Sequence, residues 1–290
     1  MGLPPWAMQA MNLLTQVFIL ALGLLVFVGL IFYLADISQT KDAVRRNYPL
    51  VGRFRNLFTK LGEFFRQYFF AMDREELPFN RAEREWVYRS ARDEGDTIPF
   101  GSTKPLDKVG TPIFVNCPFP LLDDDAAATR PLTVGPHCPQ PYEAPSFFNI
   151  SGMSYGALSK PAVRALSRGA AKAGIWMNTG EGGLSPMHLE GGCDIVFQIG
   201  TAKYGVRDEN GALSDDRLRD LAAIDKVRMF ELKLSQGAKP GKGGILPAEK
   251  VTRDIARIRG IPVGKASISP NRHPEFDDIG GLLDMIGHIR

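Results

Sequence analysis

The sequence predicts an α/β chain, its parallel strands joined by helical crossovers, behind an apolar amino-terminal helix. Three observations carry this reading. The stretch Leu13 to Leu34, LLTQVFILALGLLVFVGLIFYL, contains no charged residue. From Pro145 onward, short apolar strands, glycine-rich loops and helices alternate, which is the pattern of parallel strands with crossovers. The stretch Glu231 to Gly244, ELKLSQGAKPGKGG, sets one cation, Lys233, inside an apolar strand that breaks into a loop with four glycines. Amides freed by glycine approach a phosphate or carboxylate closely, and Lys239 and Lys242 add positive charge beside them. The loop lacks the P-loop spacing, so taken alone it reads equally as a ligand loop or as a solvated turn.

Composition narrows the classes. A chain of 290 residues with 44% hydrophobic content buries one large core or two modest ones. With 35 basic and 32 acidic residues and a net charge of +3, it has no polyelectrolyte character, and nucleic acid is not expected as a partner. The three cysteines, Cys117, Cys138 and Cys193, are far apart. They fit neither a disulfide framework nor a local zinc or iron–sulfur motif, and are read as reduced structural thiols.

The elements follow in order. As a helix, residues 13–34 would span about 33 Å, enough for a hydrocarbon core. A cleaved signal peptide fits poorly, because no Lys or Arg precedes the run and no small-x-small site follows it. Lys41, Arg45, Arg46, Arg53, Arg55, Lys60 and Arg66 come after it. Positive-inside therefore predicts a single-pass membrane protein with its carboxy-terminal side in the cytoplasm. Residues 41–94 read as juxtamembrane amphipathic helices. Within them, Tyr48 to Ala71 mixes Phe and Leu at helical intervals with Arg and Lys, and fits either a helix along the membrane surface or one packed on the domain behind it. Asn80 to Ala91 reads as a further helix with a capping box from Asn80 to Glu83. Residues 95–146 read as an irregular, proline-rich link with short strands. In it Asp123, Asp124 and Asp125 are taken as a solvated run and not as a metal site.

Residues 147–290 form the α/β part. Strands are expected at 147–151, 175–178, 194–199 and 229–234, and helices at about 160–173, 215–224, 247–259 and 281–289. Ser159 is the natural N-cap of the first of these helices, with Pro161 near its start. Polar groups cluster at the carboxyl ends of the strands, where barrels and open α/β sheets both place their chemistry.

The series SGMSYGALS at 151–159, NTGEGG at 178–183, FQIG at 197–200, ELKLSQGAKPGKGGILP at 231–247 and SISPNRH at 267–273 resembles, in order and spacing, the FMN-binding synthase domain of glutamate synthases. The apolar helix and residues 47–70 look like the membrane-anchored short members of that family. The resemblance implies a (β/α)8 TIM-type barrel with FMN at the carboxyl ends of its strands. It also implies an oxidoreductase in which reduced flavin passes a hydride to 2-iminoglutarate, made from 2-oxoglutarate and ammonia, with an unidentified electron donor. By motif, Gly152, Met153 and Ser154 would lie along the flavin, Gln198 would bond the ring edge, and Lys233 would sit at its N1/C2 carbonyl side. A fixed cation there would stabilise the reduced form. Glu181, Lys239 and Arg259 match positions facing the keto acid, with Lys233 and Glu181 the residues closest to the chemistry.

The chain also departs from the family pattern. Ile245 stands where the family usually has a substrate-contacting Gln, which opens the alternative of an FMN barrel acting on another keto or hydroxy acid. No Cys follows the initiator Met, so no glutaminase half is expected. The family's cluster-binding cysteines have no counterpart, and no iron–sulfur cluster is expected. Four strands are recognisable against the eight of a barrel, so 147–290 is expected to be its amino-terminal half, about four β/α units. Its FMN site is expected to be incomplete and not to bind the cofactor tightly, since the phosphate in such barrels sits on the loops after the last strands. An inactive, truncated membrane-anchored fragment is therefore the non-enzyme alternative.

Overall fold

The computed structural model describes residues 4–72, 74–95, 106–113, 115 and 117–290, the side chains of Ala43, Asn56 and Asp123 excepted. The chain divides into two compact units, Met1–Asn116 and Cys117–Arg290. The division falls inside the stretch expected to be an irregular link.

In the first unit, α1 (Pro5–Ser38) is a helix of 34 residues, longer at both ends than the uncharged run. Its residues from Leu13 to Leu34 are almost all exposed among the described residues of this unit. A short helix, α2 (Ala43–Asn47), begins at Asp42, whose carboxylate caps it by accepting from the Val44 and Arg45 amides. Then α3 (Val51–Phe65) runs into a π-helical turn, Arg66–Phe70. The predicted capping box holds at α4 (Arg81–Ala91): the Asn80 side chain accepts from the Glu83 amide, and Glu83 accepts from the Asn80 amide.

The second unit opens with an antiparallel pair, β1 (Leu132–Val134) and β2 (Tyr142–Ala144). Before it, Asp123–Asp125 form a single 3-10 turn. Among the described residues no group of His, Cys, Asp or Glu is arranged to hold a metal ion. Helix α5 (Lys160–Ala173) starts where the sequence places it, with the Ser159 hydroxyl accepting from the Ala162 amide, and stops at Gly174 in the left-handed region, φ +67°. After it come β3 (Met177–Asn178), the short α6 (Pro186–Leu189), β4 (Ile195–Ile199), α7 (Asp215–Ala222) and β5 (Val227–Leu232). Strands β3, β4 and β5 are neighbours in chain order and all parallel, as expected. The core lies beneath this sheet: Val163, Met177, Ile195, Phe197, Ile199 and Val206 are fully buried, and Phe197 meets Phe230 edge-on at 6.0 Å.

Four expectations are corrected. Residues 147–151 are not a strand and join β3 only through one parallel bridge, Ile150 to Met177. The reason is local: the Ser146 hydroxyl accepts from the Phe148 amide, and the Asn149 side chain donates to the Ser146 carbonyl and accepts from the Trp176 amide. The helix expected over 247–259 is broken. A 3-10 turn, Ala248–Lys250, ends at Val251, and α8 (Arg253–Arg259) starts afresh with Thr252 as its cap. Ile245 and Leu246 lie in neither loop nor helix but form β6, paired antiparallel with β7 (Ser267–Ile268). Finally, α9 (Ile279–Ile289) begins two residues earlier than predicted, capped by Asp278.

Candidate functional site

The carboxyl ends of β3, β4 and β5 gather most of the residues singled out by the sequence. Beyond β3, Thr179 and a 3-10 turn, Gly180–Gly182, carry Glu181. Its Oε2 lies 3.2 Å from Lys233 Nζ, just past the end of β5, and accepts from Gln236 Nε2 at 2.5 Å. Lys233 Nζ in turn donates to Gln236 Oε1 at 3.2 Å. The three side chains close a ring in which each holds the other two. Close backbone approach makes this possible: a Cβ at Gly244 would lie 2.8 Å from Glu181 Oε1, and one at Gly200 would lie 2.8 Å from Glu181 Cβ. Gly244 of the lysine loop and Gly200 after β4 thus let the Glu181 side chain sit against the chain.

The segment 152–154 lies alongside. The Met153 amide donates to the Asn178 carbonyl at 3.0 Å, extending the β3 alignment by one bond. A Cβ on Gly152 would meet Gly180 Cα at 3.2 Å, and Gln198 Nε2 and Asn178 Oδ1 at 3.4 Å. Gly152 is therefore packed closely against Gly180 and two side-chain amides. Gln198 is buried on β4, and its Nε2 donates to Glu231 Oε1 across the β4–β5 register.

Arg259 comes from the far end of α8 and is only 5% exposed. Its Nη2 donates to the Tyr155 carbonyl at 3.2 Å and lies 3.4 Å from Ser154 Oγ, while the guanidinium carbon sits 5.0 Å from the Tyr204 ring centroid. Its Nε is buried without a hydrogen-bond partner. Burial pushes the guanidinium below its ordinary value, with Tyr204 and Glu181 opposing. Arg259 is therefore not the surface residue that a helix-end position suggests. It is a buried cation whose partners are a hydroxyl, a carbonyl and a ring face.

Lys239 is not brought into the cluster; its side chain is exposed, and its amide closes a turn onto the Gln236 carbonyl. Several contributors were not singled out as site residues by the sequence. Gln236 lies in the quoted loop, but its reach to Glu181 spans 55 residues of sequence. His188, fully buried, accepts from the Ser185 amide at Nδ1 (3.1 Å) and donates from Nε2 to the Met153 carbonyl at 2.8 Å. His273, the last residue of SISPNRH, donates from Nε2 to the Lys233 carbonyl at 2.9 Å and stacks on Phe276. Below it Lys203, 1% exposed, pairs with Glu275 at 2.6 Å. Burial lowers the pKa of both His188 and His273 from the ordinary 6.5, so both rings are neutral.

Closely packed glycines, buried side-chain amides and an ion-paired lysine at the carboxyl ends of parallel strands make this an α/β protein with a candidate site where such folds place their chemistry. The particular family follows from comparison with known proteins. The chain belongs to the glutamate synthase family, its residues 126–290 matching the conserved region in glutamate synthase. It is similar to YerD, a glutamate synthase large subunit-like protein of Bacillus subtilis (strain 168), at 37% identity over 94% of this chain and 58% of the relative. It is also similar to an archaeal-type glutamate synthase [NADPH] of Thermotoga maritima, at 36% identity over 58% of this chain and 30% of that one. A third relative, an archaeal glutamate synthase [NADPH] of Archaeoglobus fulgidus, is 40% identical over 50% of this chain and 25% of its own. The chain thus spans little more than half of YerD, and the likeness to YerD extends well into the first unit.

Proposed function

We propose that the site is the FMN and keto-acid end of a glutamate synthase-type oxidoreductase, built on the first units of a (β/α)8 barrel. The observation that carries this is Arg259. A buried guanidinium with no carboxylate in ion-pair range among the described residues, and with an unpaired Nε, is costly unless a ligand supplies the anion. A keto-acid carboxylate is the ligand that suits a planar donor fork. In this reading Gly152, Met153 and Ser154 would hold the flavin, with Gln198 at its edge and Lys233 near it. The support is that the fold brings these residues together at the ends of β3, β4 and β5. Hydride transfer to 2-iminoglutarate, formed from 2-oxoglutarate and ammonia, is the chemistry a bound FMN supplies. The chain's own part is to fix charge. Glu181 and Gln236 hold Lys233 in one place, and His273 fixes the Lys233 carbonyl. His188 fixes the carbonyl of Met153. NADPH, which stands in the names of two relatives, is the first electron donor to test.

The protein purified in detergent with added FMN is expected to take up flavin, and the reduced form to be reoxidised by 2-oxoglutarate only with ammonium present. Reoxidation by other keto acids in preference would favour a different substrate. The specific support for that reading is Ile245, an apolar residue 58% exposed on β6, directly after Gly244, whose Cβ position lies 2.8 Å from Glu181 Oε1. Failure to bind flavin or to reoxidise it with any keto acid would overturn the proposal. We also read α1 as a membrane span with the carboxyl side cytoplasmic, supported by its uncharged, exposed run and the cations that follow it.

A further inference from the structure

We infer that α3 and the π-helical turn after it form a lipid-facing platform that lies in the headgroup layer of an anionic bilayer, held at that depth by a buried carboxylate clasp. The inference rests on reading α1 as a membrane span.

The clasp is at Asp36, two residues past the uncharged run and fully buried. Arg45 donates to its Oδ1 from Nε and Nη2, at 3.0 and 2.8 Å. Arg53 donates from Nε to Oδ2 and from Nη2 to Oδ1, both at 2.8 Å, and the Leu50 amide donates to Oδ2 at 3.1 Å. Leu50 adopts φ +66°, a conformation a branched side chain resists, so the corner holds it there. The Arg53 guanidinium also covers the Phe32 ring at 4.2 Å. The first turn of α3 is thereby pinned to the last turns of the apolar run. One carboxylate faces two guanidiniums, so the clasp keeps a net positive charge at the level where lipid phosphates begin.

Beyond the clasp, α3 carries an apolar face that no other described residue of the first unit covers. Phe54, Phe58, Leu61, Phe64, Phe65 and Phe70 are 38–72% exposed. At 3.6 residues per turn, Arg53 and Lys60 border this face on one side and Arg55 on the other, while Glu63 lies opposite. Arg66, continuing into the π turn, sits at the rim of a groove of about 490 Å³ floored by Phe58, Leu61, Gly62, Phe65 and Phe70. Cations flanking an aromatic face place guanidinium and ammonium groups among phosphates and rings at the acyl boundary. The same arrangement disfavours a second copy as occupant, since two such faces would bring like charges together along both borders.

The test uses the full chain carrying Phe58→Trp, in vesicles of phosphatidylcholine alone or with a minority of phosphatidylglycerol. The acyl chains are brominated either near the headgroup or near the tail end. Relative to the parent chain, the added fluorescence is expected to be quenched chiefly by bromine near the headgroup. Quenching should increase with phosphatidylglycerol, and Lys60→Glu with Arg66→Glu should remove that increase. Phe65→Trp repeats the measurement should the first variant fold poorly. If the chain floats with the vesicles while the added fluorescence stays unquenched, the platform is overturned and the α1 span stands. The same holds if quenching is deepest at the tail end, or if the face is instead covered in a dimer seen by cross-linking. If the chain does not float with vesicles at all, both readings fall.

Discussion

The proposed chemistry turns on Arg259, because its environment is the one that a ligand-binding cation would need. A structural arginine this deeply buried would pair with a carboxylate, whereas this one keeps Nε unpaired and borrows a hydroxyl, a carbonyl and the Tyr204 ring. Arg259→Ala is therefore expected to raise the KM for the keto acid by roughly ten- to hundred-fold, the size of a lost charge-assisted hydrogen bond, with Tm little changed or raised. Steady-state kinetics and a thermal melt check it; a large fall in Tm with unchanged KM would mark Arg259 as structural. His188 and His273 give a second prediction. Both are neutral in the folded state with pKa below 6.5, while the unfolded chain takes up protons near that value. Stability is thus full above pH 6.5 and falls as pH drops below it, until the folded-state pKa is reached. His188→Gln should flatten part of that slope in melts taken between neutral pH and about pH 5; an unaltered slope would place the proton uptake elsewhere. The motifs made Gly152, Glu181, Gln198 and Lys233 legible in the sequence, since each stands in a stretch of unusual composition. His188, Gln236 and Tyr204 were not legible, because their roles arise only from approach across the fold.

At the scale of elements, the lysine loop shows how close approach is encoded. Gly243 lies where the β6–β7 pair begins, and a Cβ there would fall 1.5 Å from the Ser269 carbonyl oxygen, a backbone atom that cannot rotate away. Gly237, earlier in the same loop, has nothing within 4 Å. Gly243→Ala is expected to destabilise by about 1–3 kcal/mol as the pair is forced apart, while Gly237→Ala should be neutral or stabilising by up to about 1 kcal/mol. Equal effects in denaturant titrations would show that the β6–β7 approach is not maintained in solution. Helices α5 and α7 were readable because their caps, Ser159 and Ser214, precede amphipathic runs. The break at Val251 was not readable, because Thr252 announces a cap only once the preceding turn has closed onto Pro247. Residues 147–151 read as a strand from their apolar content, yet the side chains of Ser146 and Asn149 take the bonds a ladder would use.

For the molecule as a whole, the proposed α1 span makes orientation a testable consequence. Orientation follows the number of Lys and Arg near the ends of a span and not the net charge, so the seven cations from Lys41 to Arg66 outweigh the amino-terminal side whatever their pairing. The clasp sharpens this into a test, because Asp36 binds two of those cations directly. If pairing removed them from the count, Asp36→Asn would strengthen the bias; if counting alone decides, the substitution leaves orientation unchanged and only loosens the corner before α3. A reporter fused after Arg290 is therefore expected to read as cytoplasmic in both the parent chain and Asp36→Asn. Deleting residues 13–34 should release the protein from membranes washed with alkaline carbonate. Replacing Lys41, Arg46 and Arg55 by Gln while leaving the clasped pair should produce a mixed population. A reporter that reads as external in the parent chain would reverse the assignment. It would also put the site at the ends of β3, β4 and β5 outside the compartment that holds nicotinamide cofactors and keto acids, and so overturn the proposed chemistry with it.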